Sequence, residues 1–101
     1  MDLQKAKDIG NKHIMHTYDR LDVVIERGEG AKVYDQEGRE YDDFLSGIAV
    51  CNLGYSNEKV NRTLHEQADK IIHTSNYYWV ESQIKLAEFL AKHSCTDQVF
   101  L

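Results

Sequence analysis

Lysine offers the most distinctive bond-forming chemistry in this chain. A neutral ε-amine can attack a carbonyl and form an imine, provided burial or a neighbouring cation strips its proton. Among the 101 residues, Lys59, Lys70, Lys85 and Lys92 fall on the polar faces of predicted helices. Lys32 falls in a predicted hairpin beside Glu29 and Asp35, whose charges favour the ammonium form. These lysines read as solvated surface cations, and none is placed to act as a nucleophile. Five histidines raise the question of a metal. His13 and His16 stand three apart and would share one helix face, whereas His65, His73 and His93 have no such spacing. No carboxylate or thiol stands at ligand spacing from a histidine pair, so the histidines read as surface residues and no metal site is expected. Asp42 and Asp43 are adjacent, so on a strand they point to opposite faces and cannot form an acid–base pair. They read as one solvated residue and one turn or cap partner. No catalytic residue is therefore expected within this chain.

Anion cradles need glycine-rich turns at helix N-termini. Arg27-Gly28-Glu29-Gly30 runs into a strand and carries an acid, which makes it a hairpin turn. Gly54-Tyr55-Ser56-Asn57 does lead into a helix, and a plain helix cap explains it more simply than an anion site. Tyr77-Tyr78-Trp79 is the most suggestive local feature. Three consecutive aromatic rings cannot all face one core, so at least one is expected to line a cleft or an interface, the plainer reading being a partly buried corner. Cys51 and Cys95 follow no disulfide or zinc spacing and read as free thiols in a reducing compartment.

Positioning elements follow in a clear order. Asp2 to about His16 reads as a polar helix with Ala6, Ile9, Ile14 and Met15 as a weak apolar stripe, a segment expected to need support from outside the chain. Val23–Glu26, Ala31–Tyr34 and Glu40–Leu45 read as three short strands, joined by turns at 27–30 and 35–38 with Gly38 free to take a positive φ. That is an antiparallel meander. Ser46 to Gly54 is apolar and bracketed by glycines, and is expected to be extended and buried. Asn57 should cap a helix running to about Ile72, with Val60, Leu64, Ala68, Ile71 and Ile72 on one face. After the aromatic break, Ser82 should cap a second helix through Lys92 with Ile84, Leu86, Ala87, Phe89 and Leu90 as its core stripe. Gln98–Leu101 reads as the start of a further strand with no partner, which suggests a chain cut within a domain.

Composition narrows the class. Hydrophobic residues make up 42% and charged residues 29%, as in ordinary soluble domains and unlike disordered chains. Twelve Lys+Arg against seventeen Asp+Glu give a net charge of −5, which argues against a nucleic-acid partner. The longest apolar run, Ile48 to Cys51, is far short of a membrane span, and Lys5, Lys7 and Lys12 precede no apolar stretch of a secretory signal.

Two blocks take the reading further. Val33-Tyr34-Asp35-Gln36-Glu37-Gly38-Arg39-Glu40-Tyr41-Asp42-Asp43-Phe44-Leu45-Ser46-Gly47-Ile48-Ala49-Val50, continued by Asn52-Leu53-Gly54, resembles the N-terminal signature of the class III aminotransferases. His73-Thr74-Ser75-Asn76, followed by aromatics, Glu81 and Gln83, is similar to their second N-terminal block, and order and spacing fit as well. The resemblance runs from about Val23 to Leu101 and favours the acetylornithine type over the ornithine and 4-aminobutyrate types. One departure stands out: Gly54-Tyr55-Ser56-Asn57-Glu58 replaces the family's usual Gly-His-x-His-Pro, a change expected to alter capping rather than chemistry.

The resemblance implies an α+β N-terminal segment (helix, three-stranded antiparallel meander, two helices) of a fold-type I pyridoxal-phosphate (PLP) transferase. It implies residues 1–20 as an N-terminal helix, 21–55 as the meander and extended segment of the small N-terminal part, and 56–101 as helices leading into the large PLP-binding domain. By position it implies substrate-side roles for Ile48, Asn76 and Tyr78. An aliphatic residue at Ile48 goes with an acylated donor. The phosphate loop, the imine-forming lysine, the aspartate facing the pyridine nitrogen and the arginine for the substrate carboxylate are implied to lie outside this chain. The whole enzyme is implied to be a cytoplasmic homodimer that moves the terminal amino group of N-acetylornithine to 2-oxoglutarate in arginine biosynthesis, the chain itself being inactive. Two other readings remain open: a self-standing α+β binding module with a complete core, and the same family acting on ornithine, succinylornithine or 4-aminobutyrate.

Overall fold

A computed structural model describes all 101 residues. Helix α1 (Leu3–His13) begins where the Asp2 carboxylate accepts the Lys5 N–H at 2.8 Å, and Lys12 and His13 place basic side chains at its C-terminal end. It ends three residues before the expected His16, because Ile14 takes extended backbone angles while its N–H still donates to the Gly10 carbonyl. His13 and His16 therefore do not share a helix face. No residue of α1 is buried. Lys7 ties the helix to Asp22 through a 2.7 Å ion pair, exposed at both ends.

Strands β1 (Ile25–Glu29), β2 (Lys32–Asp35) and β3 (Glu40–Asp42) pair antiparallel in the order β1-β2-β3, the expected meander. The first turn is tighter than the sequence suggested. Arg27, Gly28 and Glu29 belong to β1, and only Gly30 and Ala31 close the hairpin, with Gly30 at φ +56°. Pairing slips by one residue between Ile25 and Arg27, a bulge that leaves Glu26 without an opposite partner. Gly38 takes φ +80° in the second turn, as expected, and its N–H donates to the Asp35 carbonyl at 3.0 Å. The third strand stops at Asp42 rather than Leu45, because the Asp43 carboxylate turns back to accept the N–H groups of Leu45 and Ser46.

The following segment overturns the expectation of extended, buried chain. Residues Ser46–Ala49 form a short helical turn, α2, wound in the left-handed region at φ +50°, +59°, +58° and +65°. Only Gly47 takes this region freely; for Ser46, Ile48 and Ala49 it costs roughly 1–2 kcal/mol per residue. Ile48, Val50 and Leu53 are exposed rather than buried.

Helix α3 (Glu58–Ala68) has the expected cap: the Asn57 side-chain oxygen accepts the N–H groups of Lys59 and Val60 at 3.1 and 3.2 Å. It ends at Ala68, short of Ile72, in a turn where Lys70 and Ile71 both donate to the Gln67 carbonyl. Helix α4 (Glu81–Lys92) has Val80 at its N-cap with no side-chain cap bond, so Ser82 lies inside the first turn rather than before it. Glu81–Lys85 and Glu88–Lys92 pair at 2.6 Å across single turns, acid first, the favoured direction along a helix axis. Gln98–Leu101 joins no sheet, and the Phe100 ring is fully exposed.

The chain divides into two compact units, Met1–His65 and Glu66–Leu101, the boundary falling in the last turns of α3. Neither unit contains a buried apolar side chain. The supposed core stripe of α4 is open to solvent at Ile84, Leu86 and Phe89, as are Val60 and Leu64 on α3. One residue alone is buried, and it is Asp35. A self-standing module with its own core finds no support here: the apolar surface that would make one is exposed.

Candidate functional site

Polar networks, not apolar packing, fix the first unit. Asp35 sits at the end of β2 with its carboxylate inside the second turn. It accepts the N–H groups of Glu37 and Arg39, each at 2.9 Å, the Arg39 Nε–H at 2.7 Å and the Tyr41 hydroxyl at 2.9 Å. Burial by itself pushes this carboxyl up, but the four donors, Arg39 first, outweigh it and hold the group down at about 2. Elsewhere on the same central strand, Lys32 bonds Glu40 and lies 3.2 Å from Asp42 across to β3, and Arg27 of β1 stacks 3.5 Å above the Tyr34 ring.

A second network links the hairpin tip to the left-handed turn. Tyr55 exchanges both backbone hydrogen bonds with Gly30, at 2.8 and 3.0 Å, and lays its ring base on Gly28. Ser56 donates its hydroxyl to the Gly28 carbonyl at 2.7 Å. The approach is close enough that a methyl carbon at Gly28 would fall 2.7 Å from Tyr55 Cβ and 2.9 Å from its Cδ1, closer still to Cγ. From that anchorage the Tyr55 hydroxyl donates to Asp43 Oδ2 at 2.6 Å. Asp43 also accepts the N–H of Leu45 at 2.8 Å and of Ser46 at 3.0 Å. The Tyr55 bond is the chief reason the Asp43 carboxyl lies below its ordinary value, and Asp43 in turn pushes the tyrosine up to about 12. Asp42 and Asp43 thus divide as expected, into a surface partner of Lys32 and a turn cap.

Beside that turn lies an open groove of about 1010 Å³ walled by Leu21, Val23, Ile25, Phe44, Leu45 and Ile48, with Arg20 and Arg27 at its margin. Ile48, the first of the three expected substrate-side residues, stands 90% exposed on this wall. The other two belong to the second unit. Tyr78 and Trp79 line a pocket of about 430 Å³ with Lys70, Glu81 and Lys85. Asn76 lies in an adjoining depression of about 280 Å³, where its side-chain oxygen accepts from Gln83 Nε2 at 3.3 Å. Two rings of the aromatic cluster therefore line a cleft, while all three remain mostly exposed.

The lysines of this chain do not fit the role of anchoring a PLP aldehyde. That role needs an amine that has shed its proton. Lys32 is pushed up by Glu40 and Asp42, and Lys85 by Glu81, so both hold their protons more tightly than usual. Lys92 is paired with Glu88 and Lys7 with Asp22, and Lys5, Lys12, Lys59 and Lys70 are exposed. Lys32 does keep company with acids, as expected, but they are Glu40 and Asp42 rather than Glu29 and Asp35. No three His, Cys, Asp or Glu side chains gather as a metal site, and no helix is long and apolar enough to cross a membrane.

The sequence reading missed the Gly28–Tyr55–Asp43 linkage. Its signal was nonetheless present: a tyrosine stands where a histidine is usual, and glycines occupy 28, 30 and 54. Within the departure at 54–58, Asn57 caps α3, and Tyr55 adds a tether that capping does not describe.

The family model for class-III aminotransferases matches residues 13–101. Over 89 residues the chain is 51% identical to the acetylornithine aminotransferase of Gloeobacter violaceus, covering 88% of this chain and 22% of that protein. Among solved structures, the acetylornithine aminotransferase of Elizabethkingia anophelis superposes with a TM-score of 0.85 at 34% identity, over 91% of this chain and 24% of that one. The ornithine aminotransferase of Toxoplasma gondii, whose active site holds PLP at partial occupancy, gives 0.83 at 27% identity, over 89% and 21%. The chain spans under a quarter of the length of each of these three relatives.

Proposed function

This chain belongs to the class III aminotransferases, and from that premise we propose that it is the N-terminal portion of an enzyme transferring the terminal amino group of N-acetylornithine to 2-oxoglutarate. The observation that carries the reading is the 51% identity to an acetylornithine aminotransferase across most of this chain but about a fifth of that protein. The exposed apolar surface supports it, since apolar surface of this extent marks a face that other polypeptide covers, whether of the same protein or of a partner copy. PLP, when bound by the whole enzyme, would supply the electron sink and carry the amino group between donor and acceptor.

What the present residues contribute is pocket wall. Ile48 offers an aliphatic surface for the acyl end of the donor, and Asn76 and Tyr78 offer an amide and a phenol at the entrance. The division into residues 1–20, 21–55 and 56–101 belongs to the same reading: helix, small N-terminal part, and helices entering the large PLP-binding domain. So do a homodimer, a cytoplasmic location and a place in arginine biosynthesis.

The full-length gene product, assayed with 2-oxoglutarate as acceptor, should turn over N-acetylornithine in preference to ornithine, succinylornithine and 4-aminobutyrate. Preference for one of those three would keep the family and change the donor. Inactivity with every ω-amino donor would overturn the reading. The 101-residue chain alone, mixed with equimolar PLP, should develop no imine absorbance.

A further inference from the structure

The left-handed turn at 46–49 is held from outside itself. Ser46, Ile48 and Ala49 occupy a backbone region that L-residues leave unless the surroundings over-determine it. Two backbone bonds close the turn, Ala49 N–H to Leu45 O at 3.2 Å and Cys51 N–H to Ser46 O at 2.8 Å. Its entry is fixed by Asp43, whose two carboxylate oxygens take the N–H groups of Leu45 and Ser46. Asp43 alone could rotate about its side-chain bonds. It is steadied by the 2.6 Å bond from the Tyr55 hydroxyl, within the range of a charge-assisted O–H···O⁻ contact. Tyr55 in turn cannot drift, because its backbone is bonded in both directions to Gly30 and its ring base rests on Gly28.

We propose that Tyr55, acting through Asp43, is a positioning residue for the turn that presents Ile48, and that it thereby sets how well the site discriminates acylated from free donors. The first half rests on the hydrogen bonds alone; the second rests on the proposed substrate reading. Tyr55 borders the same groove as Ile48, but its hydroxyl is committed to Asp43, so the role assigned to it is to place the wall rather than to hold the donor. Its effect is on where the aliphatic wall stands, so it governs binding of the donor's far end more than the chemical step.

The test uses the full-length protein that carries this segment. Tyr55→Phe removes only the hydroxyl, and Tyr55→His keeps a ring donor of shorter reach. For Tyr55→Phe, KM for N-acetylornithine should rise roughly threefold to tenfold with kcat within about twofold, the pattern of lost ground-state binding. The preference over ornithine should shrink in step, and Tyr55→His should restore part of it. Amide exchange gives a readout independent of activity: Ser46, Ala49 and Cys51 should lose protection in Tyr55→Phe while Ile84 and His93 do not change. In an Ala49→Gly background, where one strained residue is relieved, removing the hydroxyl should have a smaller effect. Unchanged exchange at 45–51, or additive effects of Tyr55→Phe and Ala49→Gly, would overturn the positioning role even if the parent is an active transaminase. Altered exchange with an unaltered donor preference would overturn the discrimination claim. An inactive parent with altered exchange would sink the substrate reading and leave the positioning role standing.

Discussion

Gly28→Ala should damage the hairpin tip although nothing in the local backbone forbids alanine there. Gly28 lies in β1 with ordinary strand pairing to Val33, so the substitution brings no positive-φ strain. The cost comes from space. A Cβ would stand 2.7 Å from Tyr55 Cβ and 2.9 Å from Cδ1, where carbon pairs normally rest at roughly 3.5–4.0 Å. The atoms in the way are the root of the ring, not a flexible tip, so the tyrosine must move bodily by about 1 Å. It cannot do so and keep both bonds to Gly30 and the hydroxyl bond to Asp43. Overpacking of this kind costs about 1–3 kcal/mol. In amide exchange of the full-length protein, that translates to roughly 5- to 150-fold faster opening at Gly30 and Tyr55. The same change at Asp35 and Gly38, whose N–H groups close the second turn, should be smaller. Exchange at Gly30 and Tyr55 within about twofold of the parent would refute the claim that this contact is rigid, and with it the anchorage on which Tyr55's reach to Asp43 depends.

Gly38→Ala should fail for the opposite reason: space is open around it, but φ +80° is strained for any L side chain. A loss of about 1–2 kcal/mol is expected on that ground, with Gly38→Asn closer to the parent, read from the urea midpoint of the full-length protein. Asp35 should give the sheet a pronounced acid limit. Its carboxyl is held at about 2 against an ordinary 3.8, so its contribution is fully present above about 4 and is lost as the pH falls towards 2. Protection of the Glu37 and Arg39 amides should follow that window, and Asp35→Asn should abolish its pH dependence; loss of protection already at pH 5 would contradict the network. The isolated 101-residue chain should bind a hydrophobic dye and self-associate in sedimentation, whereas a monomer with a sharp, cooperative thermal transition would contradict the exposed surface described above.

Local chemistry was the legible part of the sequence. Gly38, the Asn57 cap and the meander order follow from short-range rules that hold here, whereas Ser82 does not cap α4 and the acids beside Lys32 are Glu40 and Asp42 rather than Glu29 and Asp35. The family signature was legible too, because its two blocks are contiguous in sequence. What failed were readings that used apolar pattern to infer burial. Ile48, Leu53, Ile84 and Phe89 have the residue types of a core, yet they are exposed. A hydrophobic stripe records that a face will be covered, and says nothing of whether the covering element lies in the same stretch of chain. The left-handed turn was illegible for a related reason. No propensity of Ser, Ile or Ala favours positive φ, so the conformation can be read only once Asp43, Tyr55 and Gly28 are seen to hold it, and those contacts span 28 residues of sequence at Ser56 to Gly28. Ile48, Asn76 and Tyr78 were named from family position, and the structure sets Ile48 in one unit and the other two in the second.

A chain without a buried apolar side chain should not hold a strained turn, since strain is ordinarily offset by packing around it. Here the offset is polar and local. Asp43 brings a full charge to two N–H groups and a phenol, and the phenol is fixed by the backbone bonds of Tyr55 to Gly30 and by a ring contact that leaves no room for a side chain at Gly28. Such an arrangement does not need a completed core to define where Ile48 points; it needs only the hairpin.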